Sequence, residues 1–167
     1  MSYNWNTRTE LLLGAERMEY LSHCHVLVVG LGGVGAYAAE QICRAGIGHM
    51  TIVDADTVND SNINRQLPAL HSTLGMQKAE VVGQRLLDIN PRLKLTILNE
   101  FLRDERTEEL LSAQKYDFIV DAIDSLSPKA YLLYHAYRRE IPIVSSMGAG
   151  AKIDPSQVKI ADISKTC

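Results

Sequence analysis

Four groups of residues along this chain carry side chains or backbone freedom suited to nucleotide chemistry. The first is Gly30-Leu31-Gly32-Gly33-Val34-Gly35, which satisfies G-x-G-x-x-G. Such glycines permit a tight turn and close backbone approach, and a helix opening behind them offers N–H groups to a phosphate. Taken alone the motif is moderately specific, because a glycine-rich turn can exist without a ligand. The second is Asp54-Ala55-Asp56, at the spacing expected of an acid that binds ribose hydroxyls. Up to this point a dinucleotide-dependent dehydrogenase fits equally well. The third departs from that pattern: Ser61-Asn62-Ile63-Asn64-Arg65-Gln66, with Lys78 further on. A triphosphate needs cations, and a guanidinium grips it bidentately while an ammonium acts as a movable point charge. Charged residues usually solvate or cap helices, so either cation alone would say little. The fourth is Asp121-Ala122-Ile123-Asp124-Ser125, whose carboxylates suit Mg²⁺ beside phosphates. Asp124 is the expected metal-facing ligand, and Asp121 is expected to hold loop backbone.

The elements around these groups decide whether they can meet. His25 to Val29 and Met50 to Val53 are short β-branched runs that read as buried parallel strands, with a helix over Gly35 to Ala45 between them. The polar stretch Ala55 to Gly75 is long for a loop inside one domain, and such loops are usually functional. Helical periodicity returns over Lys78 to Ile89 and stops at Asn90-Pro91. Leu93 to Leu98 reads as a strand, Glu105 to Ala113 as a helix and Tyr116 to Asp121 as a strand. Ser127 to Glu140 is a helix with Pro128 in its first turn, and Ile143 to Ser146 a strand. Arg8 to Ser22 is predicted as one amphipathic helix with Leu12, Leu13, Met18 and Leu21 on its apolar stripe. Lys159 to Ile163 is predicted as a last strand after a turn at Asp154-Pro155. The alternation specifies an α/β fold: a Rossmann-like, doubly wound, mostly parallel sheet with helices on both faces. Ligands then bind at the carboxyl ends of the strands, where all four groups lie.

Composition narrows the class. The chain has 167 residues, 46% hydrophobic and 22% charged, which is ordinary for one globular domain. A formal charge of −3 argues against non-specific coating of nucleic acid. Arg138, Arg139, Lys152, Lys159 and Lys165 read as surface charges before they read as a basic patch. Cys24, Cys43 and Cys167 form no C-x-x-C pair, so neither a disulfide framework nor a zinc site is expected, and a reducing cytoplasm is the simplest setting. Cys24 and Cys43 read as small buried fillers. Met1 to Arg8 is polar, unlike a secretory leader, and no apolar run approaches the roughly 20 residues of a membrane span.

The four groups together resemble the ThiF/MoeB/HesA superfamily, the bacterial relatives of ubiquitin-activating enzymes. Further blocks are similar to its tRNA threonylcarbamoyladenosine dehydratase branch: Arg8-Thr9-Glu10-Leu11-Leu12-Leu13-Gly14, Ser146-Met147-Gly148-Ala149-Gly150, Lys152-Ile153-Asp154-Pro155 and Ala161 to Thr166. The resemblance spans nearly the whole chain. It implies ATP and Mg²⁺ as cofactors. The implied binding residues are Gly30, Gly32, Gly33, Gly35, Asp54, Asp56, Ser61, Asn62, Asn64, Arg65, Gln66, Lys78, Asp124 and Ser125, with Arg65, Lys78 and Asp124 as the catalytic set. It also implies a homodimer in which an arginine near the chain start, here in the region of Arg8, reaches the neighbouring subunit's phosphates. The implied reaction is adenylation of a carboxylate, that of threonylcarbamoyl-adenosine in tRNA, followed by cyclising dehydration. The alternatives are activation of a sulfur-carrier protein's C-terminus, with a cysteine-desulfurase system as partner, and a nucleotide-binding module without turnover. Sulfur-carrier activators usually carry two C-x-x-C zinc motifs, which this sequence lacks. Family members usually run well past this length, so the expectation is a single adenylating domain over 1–167, cut short at its C-terminus.

Overall fold

The computed structural model describes residues 5–148 and 153–165. Five strands form one sheet in the order β3-β2-β1-β4-β5: β1 (His25–Val29), β2 (His49–Val53), β3 (Lys94–Leu98), β4 (Phe118–Asp121) and β5 (Ile143–Ser145). Every pairing within the sheet is parallel. The helices are α1 (Thr7–Leu13), α2 (Ala15–His23), α3 (Gly35–Arg44), α4 (Lys78–Ile89), α5 (Asp104–Ala113) and α6 (Leu126–Arg138).

Alternation along the strands sorts the core into two layers. Val26, Val28, Met50, Ile52 and Val120 pack with Ala36, Ala39 and Cys43 of α3 and Val82 and Leu86 of α4. Leu27, Val29, Val53 and Ile119 point the other way, onto Leu110 and Leu111 of α5 and Leu132 and Ala136 of α6. Leu27, Met50, Ile52, Leu86, Ile119 and Leu132 are fully buried, and each such side chain stabilises the fold by about 1.5–3 kcal/mol relative to exposure. Cys24 and Cys43 are both free and buried, as their setting in the sequence suggested. Burial pushes the Cys43 thiol up to about 11, so it behaves as packing rather than as a nucleophile.

Register is what prepares the site. Val29 lies opposite both Val53 and Asp121, Val53 opposite Leu98, and Asp121 opposite Ser145. The strands therefore end level, and whatever follows each one emerges along a single edge. The order reverses between β1 and β4, the place where an open parallel sheet splits its crossovers and leaves a crevice.

Two expectations need correction. The helix predicted from Arg8 to Ser22 is two helices, broken at Gly14, which takes φ +83°. A residue with that φ cannot continue a right-handed helix, and its apolar neighbours on either side hide the break from periodicity. Leu12 is not on a buried stripe: it is 80% exposed, and Leu11 82%. Lys159 to Ile163 is not a strand either. Pro155–Gln157 and Ile163–Lys165 are single 3₁₀ turns, Asp154 caps the first, and the residues between pair with no strand among the described residues. Alternating side chains without a neighbouring strand leave backbone groups nothing to pair with.

Candidate functional site

A cavity of about 460 Å³ opens at the carboxyl edge of the sheet. Its wall includes Gly30, Gly32, Gly33, Asp54, Asp56, Arg65, Gln66, Lys78, Asp124 and Ser125. Members of all four sequence groups thus meet in one place. The glycine turn divides its labour. Gly30 takes φ +87°, and a Cβ there would stand 2.6 Å from the Ala122 carbonyl oxygen of the next strand end. A Cβ on Gly35 would fall 1.7 Å from the Gly30 carbonyl oxygen, so this glycine lets α3 close down on the turn rather than facing the cavity. Gly32 and Gly33 line the cavity, where a Cβ would stand in ordinary contact with Gln66, at 3.6 Å, and with Arg65, at 3.5 Å, respectively. Their amides and the start of α3 form an anion-receptive floor.

Asp54 braces that floor. Its Oδ2 accepts the Leu31 amide at 2.6 Å and its Oδ1 the Asp56 amide at 2.8 Å. Burial raises its carboxyl above the ordinary 3.8, against the lowering effect of those two N–H groups. Asp56 in turn accepts from Lys78 Nζ at 2.8 Å, an unequal pair in which the lysine side chain is 6% exposed and the carboxylate 69%. Lys78 opens α4, and its amide also donates to the Asp56 carbonyl at 2.9 Å.

The long loop between β2 and α4 is folded rather than slack. Val58 and Met76 bridge its two limbs, and a 3₁₀ turn at Asp60–Asn62 carries the polar run of the sequence back towards the glycines.

 Asn62 Oδ1 accepts the Asn59 amide at 3.0 Å, while the Ser61 carbonyl and Asn64 Oδ1 accept from the Arg65 guanidinium at 2.7 and 3.0 Å. Ser61, Asn62 and Asn64 therefore lie outside the cavity wall and shape the loop that aims Arg65. Gln66 sits on the wall, and its buried Oε1 is unpartnered among the described residues. Arg8 is exposed on α1 and is not part of the wall.

On the opposite side, Asp121 and Asp124 separate in role. Asp121 is fully buried, and its Oδ1 accepts the Ile123 amide at 3.0 Å, which is the loop-holding part expected of it. Asp124 is exposed on the wall, and its carboxylate has no hydrogen bond or ion pair among the described residues. Ser125 lines the cavity as the residue preceding α6.

The sequence reading missed part of the wall. Glu100, Phe101 and Leu102 follow β3, and Ser146, Met147 and Gly148 follow β5. Both Glu100 oxygens are held by Arg106, at 2.9–3.1 Å. The rule that ligands bind beyond strand ends points to both segments, since each follows a strand. Ala149, Gly150 and Lys152, which belong to the resembling blocks, and Cys167 lie outside the described residues.

This arrangement can hold a nucleoside phosphate: amides below, a guanidinium and an ammonium to one side, a free carboxylate to the other. The comparisons with known proteins supply the family. Residues 3–165 match the model of the ThiF family. The chain is 40% identical to the tRNA threonylcarbamoyladenosine dehydratase of Escherichia coli, over 97% of this chain and 61% of that one. To the Bacillus subtilis enzyme of the same name it is 42% identical, over 96% and 63%. Escherichia coli molybdopterin-synthase adenylyltransferase is more distant, at 33% over 81% of this chain and 53% of that one. A crystal structure of the Escherichia coli tRNA N6-threonylcarbamoyladenosine dehydratase in complex with ATP superposes with TM-score 0.92, at 40% identity, covering 96% of this chain and 65% of that one. The chain spans a little over half to about two thirds of the length of these relatives. With the glycine turn, the paired cations and the strand-end carboxylates in one cavity, and a family match from end to end of the described fold, this chain belongs to the ThiF family.

Proposed function

We propose that this chain is an ATP-dependent adenylating enzyme of the tRNA threonylcarbamoyladenosine dehydratase kind. The observation that carries the reading is the placement of Arg65 and Lys78 on one side of a glycine-floored cavity and Asp124 on the other. In this reading the substrate carboxylate attacks the α-phosphorus of ATP and pyrophosphate departs, leaving an acyl-adenylate. Gly32 and Gly33 amides hold phosphate oxygens, Asp54 meets the ribose, and Arg65 and Lys78 neutralise charge as it moves onto the leaving group. Lys78 reaches phosphate by exchanging its exposed partner Asp56, a small loss because that carboxylate returns to water.

Mg²⁺ fits this wall in a limited way. Asp124 is its one uncommitted carboxylate, and among the described residues no three His, Cys, Asp or Glu converge. That suits an ion held by a single carboxylate together with phosphate oxygens and waters. Asp124, with Ser125 beside it, would hold Mg²⁺, which when bound supplies charge neutralisation to the phosphates.

For the second stage, an internal nucleophile of the modified adenosine displaces AMP and closes a ring. The protein then needs only to position the adenylate, which accords with a wall that has no Ser-His-Asp or Cys-His arrangement among its lining residues. A cytoplasmic setting and a tRNA substrate belong to the same proposal. So does a homodimer: Arg8 shares α1 with the bare side chains of Leu11 and Leu12, a helix better suited to a partner's cover than to water.

Mass spectrometry of anticodon-loop adenosines, with and without the gene, tests the substrate. Loss of the cyclised nucleoside is expected. An unchanged nucleoside moves the reading to the alternative of a sulfur-carrier protein's C-terminal carboxylate. Asp124→Ala should abolish ATP–pyrophosphate exchange without altering the circular dichroism spectrum.

A further inference from the structure

Beneath the cavity lies a lysine that the proposed chemistry does not use. Lys129 sits in α6, only 7% exposed, one residue past Pro128 of the cavity wall. Its Nζ donates to Asp121 Oδ2 at 2.6 Å, to Ser145 Oγ at 3.1 Å and to the Ser146 carbonyl at 3.1 Å. An ammonium has three protons, and all three are taken. Ser145 Oγ–H donates to Asp121 Oδ2 at 2.5 Å, and Asp121 Oδ1 accepts the Ile123 amide at 3.0 Å. The Asp121 carbonyl accepts the Ser146 amide at 2.8 Å. The network is closed. It leaves no donor over for a phosphate, so Lys129 cannot serve as a third cation of the site while the network stands.

Its members are the last residue of β4, the last residue of β5 and the first turns of α6. The chain leaving each of these supplies cavity wall: Ile123, Asp124 and Ser125 after β4, Ser146 and Met147 after β5, Pro128 in α6. Burying an ion pair adds little net stability over apolar side chains of similar size, so a fully buried one is better explained by what it fixes than by what it stabilises. We infer that Lys129 is a positioning residue, which through Asp121 and Ser145 sets the place of the Asp124 turn relative to the β5 end and thereby the grip on the phosphate side of the nucleotide. The inference rests on the reading of the cavity as an ATP site.

Calorimetric titration of ATP, with and without Mg²⁺, tests it in the whole chain. The double variant Lys129→Met/Asp121→Asn removes both charges together and leaves no buried ion unpaired. It is expected to weaken ATP binding in the presence of Mg²⁺ at least 10-fold, with a smaller loss when Mg²⁺ is omitted. Lys129→Arg, which keeps a cation on Asp121, is expected to recover most of that affinity. Ser145→Ala keeps the ion pair and cuts one arm, so it remains informative if the double variant does not fold. A several-fold weakening at an unchanged melting temperature is expected from it. Wild-type affinity in a folded double variant, or in Ser145→Ala where the double variant fails to fold, overturns the inference while leaving the ATP site in place. A wild-type chain that takes up no ATP overturns the site and the inference together.

Discussion

Two aspartate–lysine pairs stand on opposite sides of the same cavity, at nearly the same distance, and differ in almost everything else. Lys78 and Asp56 are 2.8 Å apart, with the carboxylate 69% exposed; Lys129 and Asp121 are 2.6 Å apart, with the carboxylate fully enclosed. Water competes for the first pair, so its Coulomb attraction is largely screened and the lysine can change partner. No water competes for the second, and each of its polar atoms has a partner inside the protein. The first pair can therefore be exchanged at little cost, as the proposed ATP site asks of Lys78, and the second is a fixed strut behind the wall. Distance alone does not separate them. Enclosure does.

The sharpest way to break this contrast is Asp121→Ala, which strands a buried ammonium. A loss of about 3–5 kcal/mol in unfolding free energy is expected, measured by urea denaturation. A loss below about 1 kcal/mol would mean that the strut is not structural. Next comes Lys78→Ala. It should lower ATP–pyrophosphate exchange by about 10²–10³-fold, as removal of one charge-stabilising group commonly does, with the melting transition nearly kept. Full exchange activity in this variant would remove the cation from the mechanism.

Asp56→Asn sharpens the comparison from the other side. Its expected cost in urea denaturation is about 0–1 kcal/mol, the range of exposed pairs. A cost equal to that of Asp121→Ala would make the two pairs equivalent and end the distinction. The last comparison is an intermediate case, Glu40, buried on α3 between the half-exposed Arg85 and Arg44. The hydrogen bond from Arg85, then that from Arg44, hold its carboxyl below the ordinary 4.5, although burial opposes them. A carboxylate whose folded value is depressed stabilises the fold above its unfolded value, and loses that contribution as pH falls through the folded one. The melting temperature difference between wild type and Glu40→Gln should thus be constant above about pH 5 and shrink on acidification below 4.5. A difference that persists unchanged to low pH would show that Glu40 acts by shape rather than charge.

Much of this was legible in the sequence, and the parts that were not share a cause. α4 runs over Lys78–Ile89 as periodicity predicts, and the strands end within a residue of their expected carboxyl termini, because apolar runs and glycine stops report local burial directly. The break at Gly14 was hidden since apolar side chains recur on both sides of it, Leu12 and Leu13 before and Met18 and Leu21 after, and nothing local reveals a positive φ. Alternation over Lys159 to Ile163 looked like a strand, but strands are made by neighbours. Within the site, residues on the wall and those behind it are chemically alike: Asn62 and Asn64 shape the loop while Gln66 lines the cavity, and Gly35 packs while Gly32 and Gly33 line it.

The sequence by itself determined the alternation of strands and helices, the glycine turn after β1 and the carboxylates after β2 and β4, because each is written in residues adjacent along the chain. Only the tertiary structure decided which aspartate would be spent on a buried lysine and which left free. Asp121 and Asp124 are three residues apart and chemically identical; Lys129 and Ser145 reach one of them through the packing of α6 and β5 against β4. The choice depends on distances between segments remote in sequence, and on the exclusion of water that their packing brings.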